Sequence, residues 1–137
     1  EGGHVTFAPA SEREWALKQA LDRRFGHVSN ERLLSGQGLL NLAHALAELD
    51  GGTCAAATPR DVTDAARAGS CAACVEAVAL FSAILGSAAG DLALITGARG
   101  GVFENAQARM RRTFAAVVTM GSMVSGMPPS AFIAQAG

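Results

Sequence analysis

At 137 residues, half of them apolar and 17% charged, the chain is long enough for one buried core and too apolar for disorder. A net charge of −1 gives no long-range pull toward nucleic acid or an anionic membrane surface, and neither is expected as a partner. Three cysteines, an odd number in an Ala-rich domain, make a poor disulfide framework and suit a reducing cytoplasm. The sequence opens on Glu1 rather than Met and shows no charged-then-apolar leader, so it is expected to be part of a larger protein.

In chain order, residues 4–8 alternate enough, through Val5 and Phe7, to predict a short strand. Ser11-Glu12-Arg13-Glu14 is a capping box, in which the Ser11 hydroxyl takes the Glu14 N–H and the Glu14 carboxylate reaches back. The helix behind it sets Leu17, Leu21 and Phe25 on one face and stops at Gly26. Ser29 caps a short helical turn through Leu34, broken at Ser35-Gly36. A second amphipathic helix is predicted from about Gly38 to Leu49, burying Leu39, Leu42, Ala43 and Leu46, with Asp50-Gly51-Gly52 as its end.

Residues 50–58 read as a loop. Thr58-Pro59-Arg60-Asp61 then sets a cap, a first-turn proline and a first-turn acid in order, opening a helix that stops near Gly69. From Cys71 to about Ile95 the chain is nearly all small and apolar. The uncharged run between Glu76 and Asp91 is short for a bilayer, which needs ~20 apolar residues, so a helix buried against a sheet is expected. Gly97 to Gly101 is a sharp turn, Val102-Phe103 begins a strand, and helical character returns around 106–118.

The chemistry-bearing residues lie in the first third. Glu1-Gly2-Gly3-His4 sets a carboxylate and an imidazole around two glycines, which let a small ligand approach the backbone. Glu31 follows in the first turn after Ser29. Carboxylates that each accept two hydrogen bonds match vicinal sugar hydroxyls. From residue types alone, a solvated terminal acid, a structural or exposed histidine and a Glu complementing a helix dipole are the commoner readings, and a shared sugar site the rarer one.

Cys71 and Cys74 form a CxxC pair, but zinc needs four ligands and Cys54 belongs to a different predicted element. Buried small thiols at a helix start are the expectation. His27 reads as structural, His44 as facing solvent or a partner, and Trp15 as a packing anchor. The Arg109, Arg111 and Arg112 cluster reads as a solvated helix face.

The run EGGHVTFAPASEREWALKQALDRRFGHVSNERLLSGQG, residues 1–38, closely resembles the bacterial glucokinase family in its hexokinase-like branch. The family's Glu-Gly-Gly-His, Phe-Ala-Pro and Gly-His-Val-Ser-x-Glu-Arg-x-Leu-Ser-Gly pieces stand here in order and spacing. The likeness continues more loosely to Gly100-Gly101-Val102-Phe103. It implies an α/β, helix-rich chain that is part of the larger domain of a ribonuclease H-like kinase. Residues 1–103 would be the sugar-binding segment and 104–137 a divergent helical tail.

By that resemblance Glu1, His4 and Glu31 hold glucose hydroxyls, the last two toward the anomeric end, while Gly2 and Gly3 shape the pocket floor. ATP and Mg would serve transfer of the γ-phosphoryl group to the 6-hydroxyl, and the family implies a homodimer and a cytoplasmic, glycolytic enzyme. Gly100 and Gly101 are candidate nucleotide contacts, explained about as well by a tight turn. The family's catalytic base and both phosphate loops lie upstream of Glu-Gly-Gly-His. No catalytic residue is therefore expected in this chain, which alone would be inactive. The alternative is a non-catalytic sugar-binding or interaction module that inherited the pocket.

Overall fold

The structure is a computed structural model and describes residues 2–96. It opens on a 3-10 turn, Gly2–His4, followed by five α-helices: α1 (Glu12–Phe25), α2 (Asn30–Leu33), α3 (Gly36–Leu49), α4 (Pro59–Ala68) and α5 (Ala72–Thr96). The helix-rich expectation therefore holds. The strand expected over residues 4–8 is reduced to one antiparallel bridge, Thr6 to Ser29. The Phe7 N–H donates to the Val28 carbonyl at 3.0 Å and the Asn30 N–H to the Val5 carbonyl at 2.9 Å. No named strand is present among the described residues, so the sheet half of the α/β expectation is not seen there.

The helices start and stop where local chemistry requires. Ser11 accepts from the Glu14 N–H at 3.2 Å, and the Glu14 carboxylate reaches back to the Ala10 N–H at 2.7 Å, one residue earlier than a standard capping box. Gly26 ends α1 with φ 72°, a conformation that costs other residues strain. Ser35 caps α3 by accepting from the Gly38 N–H at 3.0 Å, so this helix begins two residues before the predicted Gly38. The α4 capping box is reciprocal: Thr58 Oγ1 accepts from the Asp61 N–H at 3.2 Å, and the Asp61 carboxylate accepts from the Thr58 N–H at 2.8 Å.

Two compact units divide the chain, Glu1–Phe81 and Ser82–Gly137. In the first, Leu17 and Leu21 of α1, Leu33 of α2, Leu42 and Leu46 of α3, Val62 of α4 and Val28 are fully buried. Each such side chain contributes about 1.5–3 kcal/mol by leaving water. Two aromatic expectations are corrected. Trp15 is 54% exposed rather than a packing anchor. Phe25 is 36% exposed and carries the Arg32 guanidinium 4.6 Å above its ring, at the end of α1 one turn beyond Leu21, the last fully buried leucine of that helix.

Arg13 ties the unit's ends together. Its guanidinium donates to both Asp50 oxygens, at 2.9 and 2.8 Å, and to both Glu76 oxygens, at 2.7 and 2.8 Å. In α5, Ala73, Cys74 and Ala77 are buried. Ala72–Ile95 is 24 residues long with mean hydropathy 1.9, so by length and composition it could cross a bilayer, unlike the shorter uncharged run weighed from sequence. In the second unit, the described part of α5 buries Ile84 and exposes Leu85, Leu92, Leu94 and Ile95. Gly100, Gly101, Val102-Phe103, the Arg109 cluster and the 104–137 tail, for which the sequence raised expectations, lie outside the described residues.

Candidate functional site

The bridge between residues 5–7 and 28–30 sets the end of the 3-10 turn beside the start of α2. His4 and Glu31, distant in sequence, consequently meet: His4 Nε2 lies 2.9 Å from Glu31 Oε2. Both side chains are largely exposed, at 67% and 62%, and so remain reachable by a solute. Ser29 holds α2 in register by accepting from the Arg32 N–H at 3.3 Å.

Glycine at position 3 keeps the space beside the carboxylate clear. A Cβ built there would stand 3.3 Å from Glu31 Cβ and 3.6 Å from its Oε2. Gly38 acts on the other side of Glu31's helix. A Cβ at 38 would fall 2.2 Å from the Leu33 carbonyl oxygen, so only glycine lets the first turn of α3 lie against the end of α2.

The result is an open cavity of about 430 Å³ whose lining includes His4, His27, Ser29, Glu31, Gln37 and Asn41. Most of these side chains bear donors and acceptors in pairs. Gln37 Nε2 donates to Asn41 Oδ1 at 3.3 Å, and His27 Nε2 meets Thr6 Oγ1 at 3.0 Å. A carboxylate has about four acceptor positions, so one bond to His4 leaves Glu31 able to accept hydrogen bonds from a ligand's hydroxyls. A cavity of this volume and lining can hold a small polyhydroxylated molecule by hydrogen bonds.

Of the residues singled out from sequence, the structure brings together His4, Gly3 and Glu31, with Gly2 in the same 3-10 turn. Glu1 lies outside the described residues, as do Gly100 and Gly101. Sequence reasoning missed Ser29, Gln37 and Asn41 as lining residues and gave His27 only a structural role. The Gln37 and Asn41 spacing of four along one helix was the available signal, since residues four apart share a face.

Two other readings change. His44, expected to face solvent or a partner, is half-buried and bonds the Ala56 carbonyl through Nε2 at 2.8 Å. Cys54, set apart from Cys71 and Cys74 by sequence, lies with its sulfur 3.6 Å from that of Cys74. Among the described residues, these three cysteines form the sole cluster of three potential metal-ligating side chains. Soft sulfur does not suit Mg, a hard ion that takes oxygen ligands, so this cluster is not a site for that ion.

The Glucokinase family model matches residues 1–105. Over 103 residues the chain is 54% identical to the glucokinase of Chromobacterium violaceum, an alignment covering 75% of this chain and 30% of that protein. It is 52% identical over the same length to the glucokinase of Paramagnetospirillum magneticum, covering 75% of this chain and 32% of that one. A crystal structure of a glucokinase from an Antarctic psychrotroph superposes with a TM-score of 0.70 at 32% identity, over 91% of this chain and 41% of that chain. The chain thus spans about a third of the length of the curated relatives it matches. A family match over most of its residues, with identities of this size around a pocket formed by the family's own segments, places the chain in the glucokinase family.

Proposed function

We propose that the His4–Glu31 cavity holds glucose during ATP-dependent phosphorylation to glucose 6-phosphate. The observation that carries this reading is the 2.9 Å contact between two residues 27 positions apart, on the rim of a polar cavity where Gly3 keeps the space beside Glu31 clear. Glu31 accepts hydrogen bonds from two hydroxyls, His4 fixes the orientation of that carboxylate, and Gly2 and Gly3 keep side chains out of the ring's path. Glu1 adds a second acceptor. The reading gives this chain sugar-holding roles and assigns it no proton-accepting residue.

ATP supplies the phosphoryl group when bound, and Gly100 and Gly101 are its candidate contacts here. Mg would arrive with the phosphates rather than on these residues, in keeping with its usual mode of binding. Residues 1–103 serve as the sugar-holding segment of a larger, ribonuclease H-like domain, and 104–137 as a tail of separate character. The reading further takes the complete enzyme to be a cytoplasmic homodimer that needs neither nucleic acid nor membrane.

The test is glucose titration of the complete protein, wild type against Glu31→Gln, by calorimetry and by a coupled assay for sugar phosphate. Losing a hydrogen bond to a charged acceptor costs about 1.5–3 kcal/mol, so the variant should bind glucose roughly 10- to 100-fold more weakly. Unchanged affinity in Glu31→Gln overturns the pocket assignment. Tight sugar binding without turnover leaves a sugar-binding module and rejects the kinase.

A further inference from the structure

The loop after α3 and the first turn of α5 bring three thiols to one place. Cys54 comes from the loop, Cys71 stands just before α5 and Cys74 lies in its first turn. Their sulfurs all lie within 4.8 Å of one another, with 3.6 Å between those of Cys54 and Cys74. Tetrahedral coordination with Zn–S bonds of about 2.3 Å sets sulfurs roughly 3.8 Å apart. The cluster is therefore near the size that a metal ion would require.

Two further contacts hold the segments in place. Arg13 forks between Asp50, where the loop begins, and Glu76, two residues past Cys74. His44 bonds the carbonyl of Ala56, two residues past Cys54. Cys74 is buried whereas Cys54 and Cys71 are partly accessible, which gives an ion a route in and one sulfur shielded from oxidants. Simple packing of small thiols accounts for the burial of Cys74 but not for three sulfurs converging from two segments.

We propose that Cys54, Cys71 and Cys74 form a three-thiolate site for a thiophilic d10 cation of the Zn(II) class, with a fourth position left to water or a small external ligand. Soft thiolates select such ions over Mg or Ca, and three protein ligands with one open position is an established zinc arrangement. Each thiol releases its proton to solvent as its sulfur bonds the metal, so no oxidant or reductant is needed. The site shares no residue with the sugar cavity.

The experiment takes the reduced, chelator-stripped protein and titrates it with Zn(II) by calorimetry and with Co(II) by absorption. One equivalent of Zn(II) and a thiolate-to-cobalt charge-transfer band of three-sulfur intensity are expected. Cys54→Ser should reduce the band to that of two sulfurs. It should also weaken Zn(II) binding by more than the roughly 10- to 100-fold that losing an outer-shell partner costs. Because serine could disturb packing, alkylation of Cys54 in the wild type is followed with and without Zn(II), and the metal should slow it. No saturable binding, a Cys54→Ser variant that binds as wild type, alkylation indifferent to Zn(II), or a Cys54–Cys74 disulfide formed in place of any metal complex would each overturn the proposal.

Discussion

A methyl group at residue 38 would stand 2.2 Å from the Leu33 carbonyl oxygen, well inside contact distance and against backbone rather than a yielding side chain. Gly38→Ala is therefore expected to push α3 away from α2, at the roughly 1–3 kcal/mol typical of overpacking. The same shift moves Gln37 and Asn41 relative to Glu31, so sugar affinity should fall together with the melting temperature. A thermal melt paired with a glucose titration checks this, and a variant that melts as wild type contradicts the close approach. At this scale, the family resemblance singled out Gly3, His4 and Glu31, and the structure brings those three together. It could not give the exposure of Trp15 and Phe25, because an aromatic on a helix stripe is buried only if a neighbour covers it.

Among the elements, the helix caps were the most legible feature, since each depends on residues three or four apart. Ser11, Ser29 and Thr58 all accept the N–H of the residue three positions on, as their spacing predicts. Hydrogen bonds from Thr58 and from the Ala57 N–H hold the Asp61 carboxyl below the usual carboxylate range. Thr58→Ala should cost about 1 kcal/mol and loosen the first turn of α4, readable by amide exchange at Asp61 and Val62. Unchanged exchange there would contradict the cap's role. The Ser35 cap was missed because Ser35-Gly36 also spells a break. What decided between them was the fit of Gly38 against α2, a contact between elements.

Across the first compact unit, Arg13 joins α1 to the end of α3 and the start of α5 through one guanidinium. Hydrogen bonding to Arg13 holds the Asp50 carboxyl below its ordinary value. Asp50 therefore adds stability that is present above its unfolded pKa of about 3.9 and is lost as pH falls through the lower folded value. Arg13→Met should destabilise the fold at neutral pH by about 1 kcal/mol and flatten the loss of stability below pH ~4, as read from melts across pH. An acid limb identical in both proteins would contradict the link. The sequence by itself determined the helices, the Ser11, Ser29 and Thr58 caps, the buried leucine stripe and the family, because these rest on local spacing and on ordered motifs. Only the tertiary structure decided that His4 reaches Glu31, that Cys54 joins Cys71 and Cys74, and that Arg13 spans Asp50 and Glu76. Each of these is a meeting of side chains far apart in the chain, set by how helices pack rather than by which residues stand next to one another.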